Sequence, residues 1–106
     1  MGAGAMVFNK LVRDKIPEII ERDGGQAVVR ILDEGEYRTC LERKLDEEVA
    51  EYHESGELDE LVDVLEVVYA LAQADGHTAD ELLSAYQRKH DQRGGFSKRI
   101  FLVERR

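Results

Sequence analysis

Two acidic pairs, Glu48 with Glu51 and Glu60 with Asp63, stand on either side of Ser55-Gly56. Each pair has i, i+3 spacing, which puts both carboxylates on adjoining surface of a helix. If Ser55-Gly56 is the tip of an antiparallel helical hairpin, positions equidistant from the tip face each other. Glu51 then meets Glu60, and Glu48 meets Asp63. Four carboxylates gathered at two levels repel strongly wherever water is partly excluded. One or more divalent cations would relieve that repulsion. An all-oxygen donor set without Cys or His suits hard ions, Mg²⁺ first and Mn²⁺ second.

A lone E-x-x-E is usually a solvated helix face, so the surroundings of the pairs carry the argument. On a wheel of about 100° per residue, Leu41, Leu45, Glu48 and Tyr52 share one face. A carboxylate in an apolar seam is costly unless its charge is compensated. Glu51 borders the seam, whereas Glu47 and Glu54 point more toward solvent. In the next helix Leu58, Leu61, Leu65, Val68 and Tyr69 form one apolar face, and Val64, Val67 and Leu71 form a second, roughly opposite. A helix apolar on two sides is expected to be sandwiched between partners, which predicts a homodimer or higher homo-oligomer. Glu60 and Asp63 flank Val67, and Glu66 lies on another flank.

The elements that must position these groups are legible from breakers and caps. A short helix is expected from Arg13 to about Arg22, with Pro17 in its first turn and Gly24-Gly25 beyond its end. Asp33 with Glu36 fits a capping box opening a helix to about Glu54. After Ser55-Gly56 a second long helix runs from Glu57 to about Ala74. Thr78 with Glu81 is another capping box, and its helix continues to about Gln92 before Gly94-Gly95. The runs 27–32 and 99–103 are β-prone, and pairing of these two short strands near the chain ends is expected. The fold class is therefore all-α: a helical bundle on an antiparallel helical hairpin, with short terminal β-strands. One helical domain over 8–106 follows a flexible tail over 1–7. Tyr37, Tyr52, Tyr69, Tyr86, Phe96 and Phe101 are core candidates.

Composition narrows the function classes. The 106 residues include 15 Lys and Arg against 23 Asp and Glu, a formal net charge of -8. Such a surface repels duplex nucleic acid, yet small phosphorylated ligands remain accessible once a cation reverses the local field. Hydrophobic residues at 42% and charged residues at 36% describe a folded, water-soluble chain. No run approaches the length needed to span a bilayer, and nothing resembles a signal peptide, so a cytoplasmic location with no membrane partner is expected. Cys40 is the single cysteine, which excludes an internal disulfide and reads as a small apolar helix residue. His53, His77 and His90 share no spacing that suggests a metal site.

The acidic string resembles that of a known superfamily. Glu47-Glu48-Val49-Ala50-Glu51 followed by Glu60-Leu61-Val62-Asp63 matches E-E-x-x-E…E-x-x-D, the pattern of the all-α nucleoside triphosphate pyrophosphohydrolases, which include MazG, the dimeric dUTPases and phosphoribosyl-ATP pyrophosphohydrolase. The strings 9–17, 61–71 and 93–102 look like the small single-domain MazG-like house-cleaning proteins, so the resemblance spans about residues 8 to 104. It implies that Glu48, Glu51, Glu60 and Asp63 bind Mg²⁺, with Glu47 at the other acidic position orienting water or holding a second metal. It also implies catalytic roles for Glu47 and Glu48. The implied reaction cleaves non-standard or damaged nucleoside triphosphates to monophosphate and pyrophosphate. Positioning and charge neutralisation supply most of the catalysis in such chemistry. Basic side chains would complete the clamp, with Lys89 and Arg93 first and Lys10, Arg13, Lys15 and Lys98 after them. The short spacer between Glu51 and Glu60 departs from many members and leaves little room for an inserted substrate loop.

Two other functions fit the same acidic framework. Phosphoribosyl-ATP hydrolysis is one, although the Arg93-Gly94-Gly95-Phe96 string argues mildly against it. A non-catalytic nucleotide-binding helical oligomerisation module is the other.

Overall fold

The helix boundaries follow from local chemistry. In the computed structural model, which describes residues 4–106, the elements are α1 (Ile16–Arg22), α2 (Glu34–Ser55), α3 (Leu58–Ala74) and α4 (Ala79–Arg93). The fold is all-α and of the helical-bundle type. Helix α1 begins later than the expected Arg13 because Pro17 must lie in its first turn. Arg13 instead enters a turn, its carbonyl accepting from the Ile16 N–H at 3.0 Å. The Asp33 side chain caps α2 by accepting from the Glu36 N–H at 2.8 Å. Only half of the expected capping box forms there, because the Glu36 carboxylate turns to Arg30 in a two-pronged pair at 2.8 and 3.1 Å. At α4 both halves of the Thr78–Glu81 box are present.

Just two residues, Gly56 and Glu57, separate α2 from α3. Gly56 makes this possible: it closes α2 at φ +68°, in the left-handed region, and its N–H donates to the Tyr52 carbonyl at 2.7 Å. A side chain at that φ would crowd its own carbonyl, whereas glycine carries none. Glu57 N–H donates to Ser55 Oγ at 3.2 Å, tightening the same corner.

The chain forms two compact units, Met1–Leu71 and Ala72–Arg106. In the first, Leu41 of α2 and Val67 of α3 are the buried apolar residues. Leu45, Tyr52, Val64 and Leu71 are half-buried beside them in the wheel pattern. The second apolar face of α3 thus turns inward, while Leu58, Leu61, Val62 and Leu65 remain exposed. The second unit contains the end of α3, α4 and the segment after it. Gly94, at φ +78°, caps α4, and its N–H donates to the His90 carbonyl at 2.7 Å.

Two expectations need correction. No strand forms among the described residues: 27–32 and 99–103 have no regular secondary structure. A β-prone run needs a ladder partner for its backbone groups, and Val28 and Ile31 stand 92% exposed. Phe96, Phe101, Tyr86 and Tyr37 are exposed rather than core. Of the expected tail over 1–7, residues 1–3 lie outside the described residues, and 4–7 are exposed without regular structure.

Candidate metal centre

The short corner at Gly56 brings α2 and α3 together through their acidic faces. Carboxylate oxygens of Glu48, Glu60 and Asp63 lie within 4.8 Å of one another, a grouping able to hold a metal ion. Glu60 and Asp63 are half-buried, and Glu48 is buried, its side chain 9% exposed. Glu51 lies beside Glu48 and is outside this close group. Glu48 is gathered with Asp63, its equidistant partner, whereas Glu60 joins this same group without Glu51, the partner expected for it.

Glu48 is the electrostatically costly member. Burial pushes its carboxyl above the ordinary range, and the neighbouring Glu51 carboxyl pushes in the same direction, against the attraction of Lys44. Lys44 Nζ approaches Glu48 Oε1 at 3.4 Å from one turn earlier on α2. The other oxygen, Oε2, is buried without a hydrogen-bond partner. A buried, unpartnered carboxylate oxygen beside two further carboxylates is a good fit to a hard divalent cation, which would supply the missing positive partner.

Basic residues from the N-terminal segment close over the same surface. Arg13 Nη2 donates to Asp63 Oδ1 at 2.6 Å, and Arg13 Nη1 lies 3.6 Å from Glu66 Oε1. Lys10 Nζ reaches Glu47 Oε1 at 3.2 Å, and Lys44 Nζ reaches the same oxygen at 3.3 Å. Glu47 was expected to face solvent but is half-buried under these two lysines. Its partial burial raises the carboxyl pKa, yet the hydrogen bonds and charges of Lys10 and Lys44 outweigh burial and hold it below the ordinary range. Glu54 does face solvent.

The remaining candidates are distributed as follows. Lys15 is the exposed N-cap of α1. Lys89 and Arg93 are exposed on α4, and Lys98 is exposed beyond it, all within the second unit. His53, His77 and His90 are exposed and belong to no acidic grouping; His77 Nδ1 lies 3.9 Å from Glu81. Lys44 is the residue that sequence reasoning missed. Its signal was available, because Lys44 precedes Glu47 and Glu48 by three and four residues, the spacing at which helix neighbours meet.

Comparisons with known proteins add a relative without a described activity. Over 42 residues the chain is 55% identical to an uncharacterized protein of Mycolicibacterium smegmatis. That match covers 40% of this chain and 43% of the relative. No family model matches the chain, and no solved structure does. No helix among the described residues is long and apolar enough to cross a membrane.

Proposed function

We propose that the chain is a Mg²⁺-dependent nucleotide pyrophosphohydrolase, converting nucleoside triphosphates, of the non-standard or damaged kind, to monophosphate and pyrophosphate. The observation that carries this reading is the buried, partnerless Oε2 of Glu48 among the carboxylates of Glu60 and Asp63. The resemblance of the 47–63 acidic string to E-E-x-x-E…E-x-x-D supplies the reaction class. Glu48, Glu60 and Asp63 would hold the cation, with Glu51 as a fourth carboxylate beside Glu48. The bound ion would neutralise the triphosphate and lower the pKa of a coordinated water, with Mn²⁺ able to substitute. The resemblance gives Glu47, whose carboxyl Lys10 and Lys44 hold below the ordinary range, the role of orienting that water or accepting its proton. Arg13 and Lys10, which contact the acidic face of α2 and α3, would clamp the phosphates, and the resemblance also nominates Lys15, Lys89, Arg93 and Lys98.

The test is a panel of standard, damaged and phosphoribosyl-modified triphosphates, incubated with and without Mg²⁺ and resolved by mass spectrometry. Monophosphate and pyrophosphate appearing only with the cation support the proposal. Turnover confined to phosphoribosyl-ATP would move the reading to that hydrolase. Unaltered nucleotides throughout would favour a nucleotide-binding oligomerisation module instead.

The working form is proposed to be a homo-oligomer, at least a homodimer. Its support is the exposed face of α3, where Leu58, Leu61, Val62 and Leu65 form a contiguous apolar surface on a chain whose core is small. Two copies of one apolar stripe can cover each other through a two-fold axis. Sedimentation equilibrium is expected to show a dimer or larger species at micromolar concentration, and Leu61→Glu with Leu65→Glu should shift it to monomer. A wild-type chain that sediments as a monomer would refute this. A cytoplasmic setting is proposed on the same footing, being where nucleotide substrates occur.

A further inference from the structure

The Arg13 guanidinium is bonded to a carboxylate that also belongs to the candidate metal grouping. Asp63 contributes an oxygen to the cluster with Glu48 and Glu60, and its Oδ1 accepts from Arg13 Nη2 at 2.6 Å. Arg13 also lies 3.6 Å from Glu66, one turn further along α3. It comes from the segment before α1, 50 residues away in sequence, and that segment has no helix or strand to fix it. About half of the Arg13 side chain is exposed. The pair is therefore accessible to ligands and weakly held, as exposed ion pairs generally are.

Two cations on one carboxylate repel each other, and the repulsion is largest where water is partly excluded. We propose that Arg13 is an exchangeable counter-cation of the cluster: it competes with a divalent cation for Asp63, and once displaced it clamps the phosphates of the metal-bound nucleotide. The planar guanidinium suits both partners, because carboxylate and phosphate present the same pair of acceptor oxygens to its fork. Lys10 on Glu47 makes the neighbouring contact from the same segment, so the segment from Lys10 to Arg13 acts as a cationic strap over the acidic face. This inference rests on the metal-dependent reading above and adds an opposing effect of one residue on the two ligands.

The experiment measures binding, with no turnover needed. Mn²⁺ binding is followed by electron paramagnetic resonance for the wild type and for Arg13→Gln, with Arg22→Gln as a control for the lost charge. Binding of an α,β-imido nucleoside triphosphate is then measured in saturating Mn²⁺. Arg13→Gln is expected to bind Mn²⁺ alone about two- to fivefold more tightly, the range that an exposed ion pair allows. It should bind the imido nucleotide with Mn²⁺ roughly tenfold or more weakly, as expected for a lost charge-assisted contact. Arg13→Lys should fall between the two in both assays, and Arg22→Gln should match the wild type. Circular dichroism of each variant checks that helix content is retained. Unchanged or weakened Mn²⁺ binding in a folded Arg13→Gln overturns the exchange while leaving the metal site intact. Stronger Mn²⁺ binding with unchanged nucleotide affinity overturns the clamping half. Wild-type protein that binds no Mn²⁺ overturns both the exchange and the metal-dependent reading beneath it.

Discussion

Glu48→Gln is expected to produce a chain that is more stable without metal and nearly inactive with it. Glu48 is buried among carboxylates, with one oxygen unpartnered and its pKa raised first by burial and then by Glu51. Neutralising it removes a buried charge while keeping the shape. Lys44 is not stranded, because Glu47 Oε1 remains 3.3 Å from its Nζ. The gain should be about 1 kcal/mol, in the range seen when a strained functional group is relieved, or roughly 4 °C in melting temperature for a domain of this size. The sign depends on pH. A carboxyl whose folded pKa is raised stabilises the fold below its unfolded pKa and loses that contribution as pH rises through the folded value. The advantage of Glu48→Gln should therefore be full in mildly alkaline buffer and vanish in acid, where wild-type Glu48 is protonated. Activity should fall by roughly 100-fold or more, as when one member of a preorganised electrostatic clamp is lost. Thermal scans in EDTA across pH, paired with pyrophosphate-release assays, check both halves. A destabilised variant with wild-type activity would refute the role given to Glu48.

Leu41→Ala should have the largest effect on folding. Leu41 is 3% exposed and, with Val67 at 6%, accounts for the buried apolar side chains among the described residues. A buried Leu→Ala change costs about 2–5 kcal/mol through lost transfer energy and the cavity left behind. Against a total stability of roughly 5–15 kcal/mol, so small a core has little reserve. Urea unfolding followed by circular dichroism should show a midpoint shifted far toward low denaturant, or no cooperative transition at all. A variant with a wild-type midpoint would mean that α2 is held by something other than this core. The acidic cluster should loosen with it, because Leu41 and Glu48 lie on the same face of α2.

How much of this was legible beforehand varied with the range of the interaction. The Thr78–Glu81 box, the Gly56 corner and the i, i+3 acidic pairs are local, and their chemistry can be read from neighbouring residues. The wheel placed Glu48 with Leu41 correctly because one helix face is a property of one helix. Asp33–Glu36 showed the limit even locally: Arg30, three residues before the cap, drew the Glu36 carboxylate away from its half of the box. Glu47 was misjudged for a similar reason, since Lys10, 37 residues distant, covers it. The contact between Arg13 and Asp63 has no periodic signature, so sequence could nominate Arg13 as a phosphate ligand but could not name its carboxylate partner. The runs 27–32 and 99–103 carried β propensity without the pairing that propensity needs, and propensity alone forms no strand.

Glu48, Glu60 and Asp63 are proposed to hold a hard divalent cation that positions a triphosphate. Crystals grown with Mn²⁺ and an α,β-imido nucleoside triphosphate, measured at a wavelength where manganese scatters anomalously, test it directly. An anomalous peak within coordination distance of oxygens from all three residues, with phosphate oxygens on its open side, is the predicted result. Manganese found only elsewhere, with the three carboxylates bonded solely to protein cations in the presence of bound nucleotide, would contradict it.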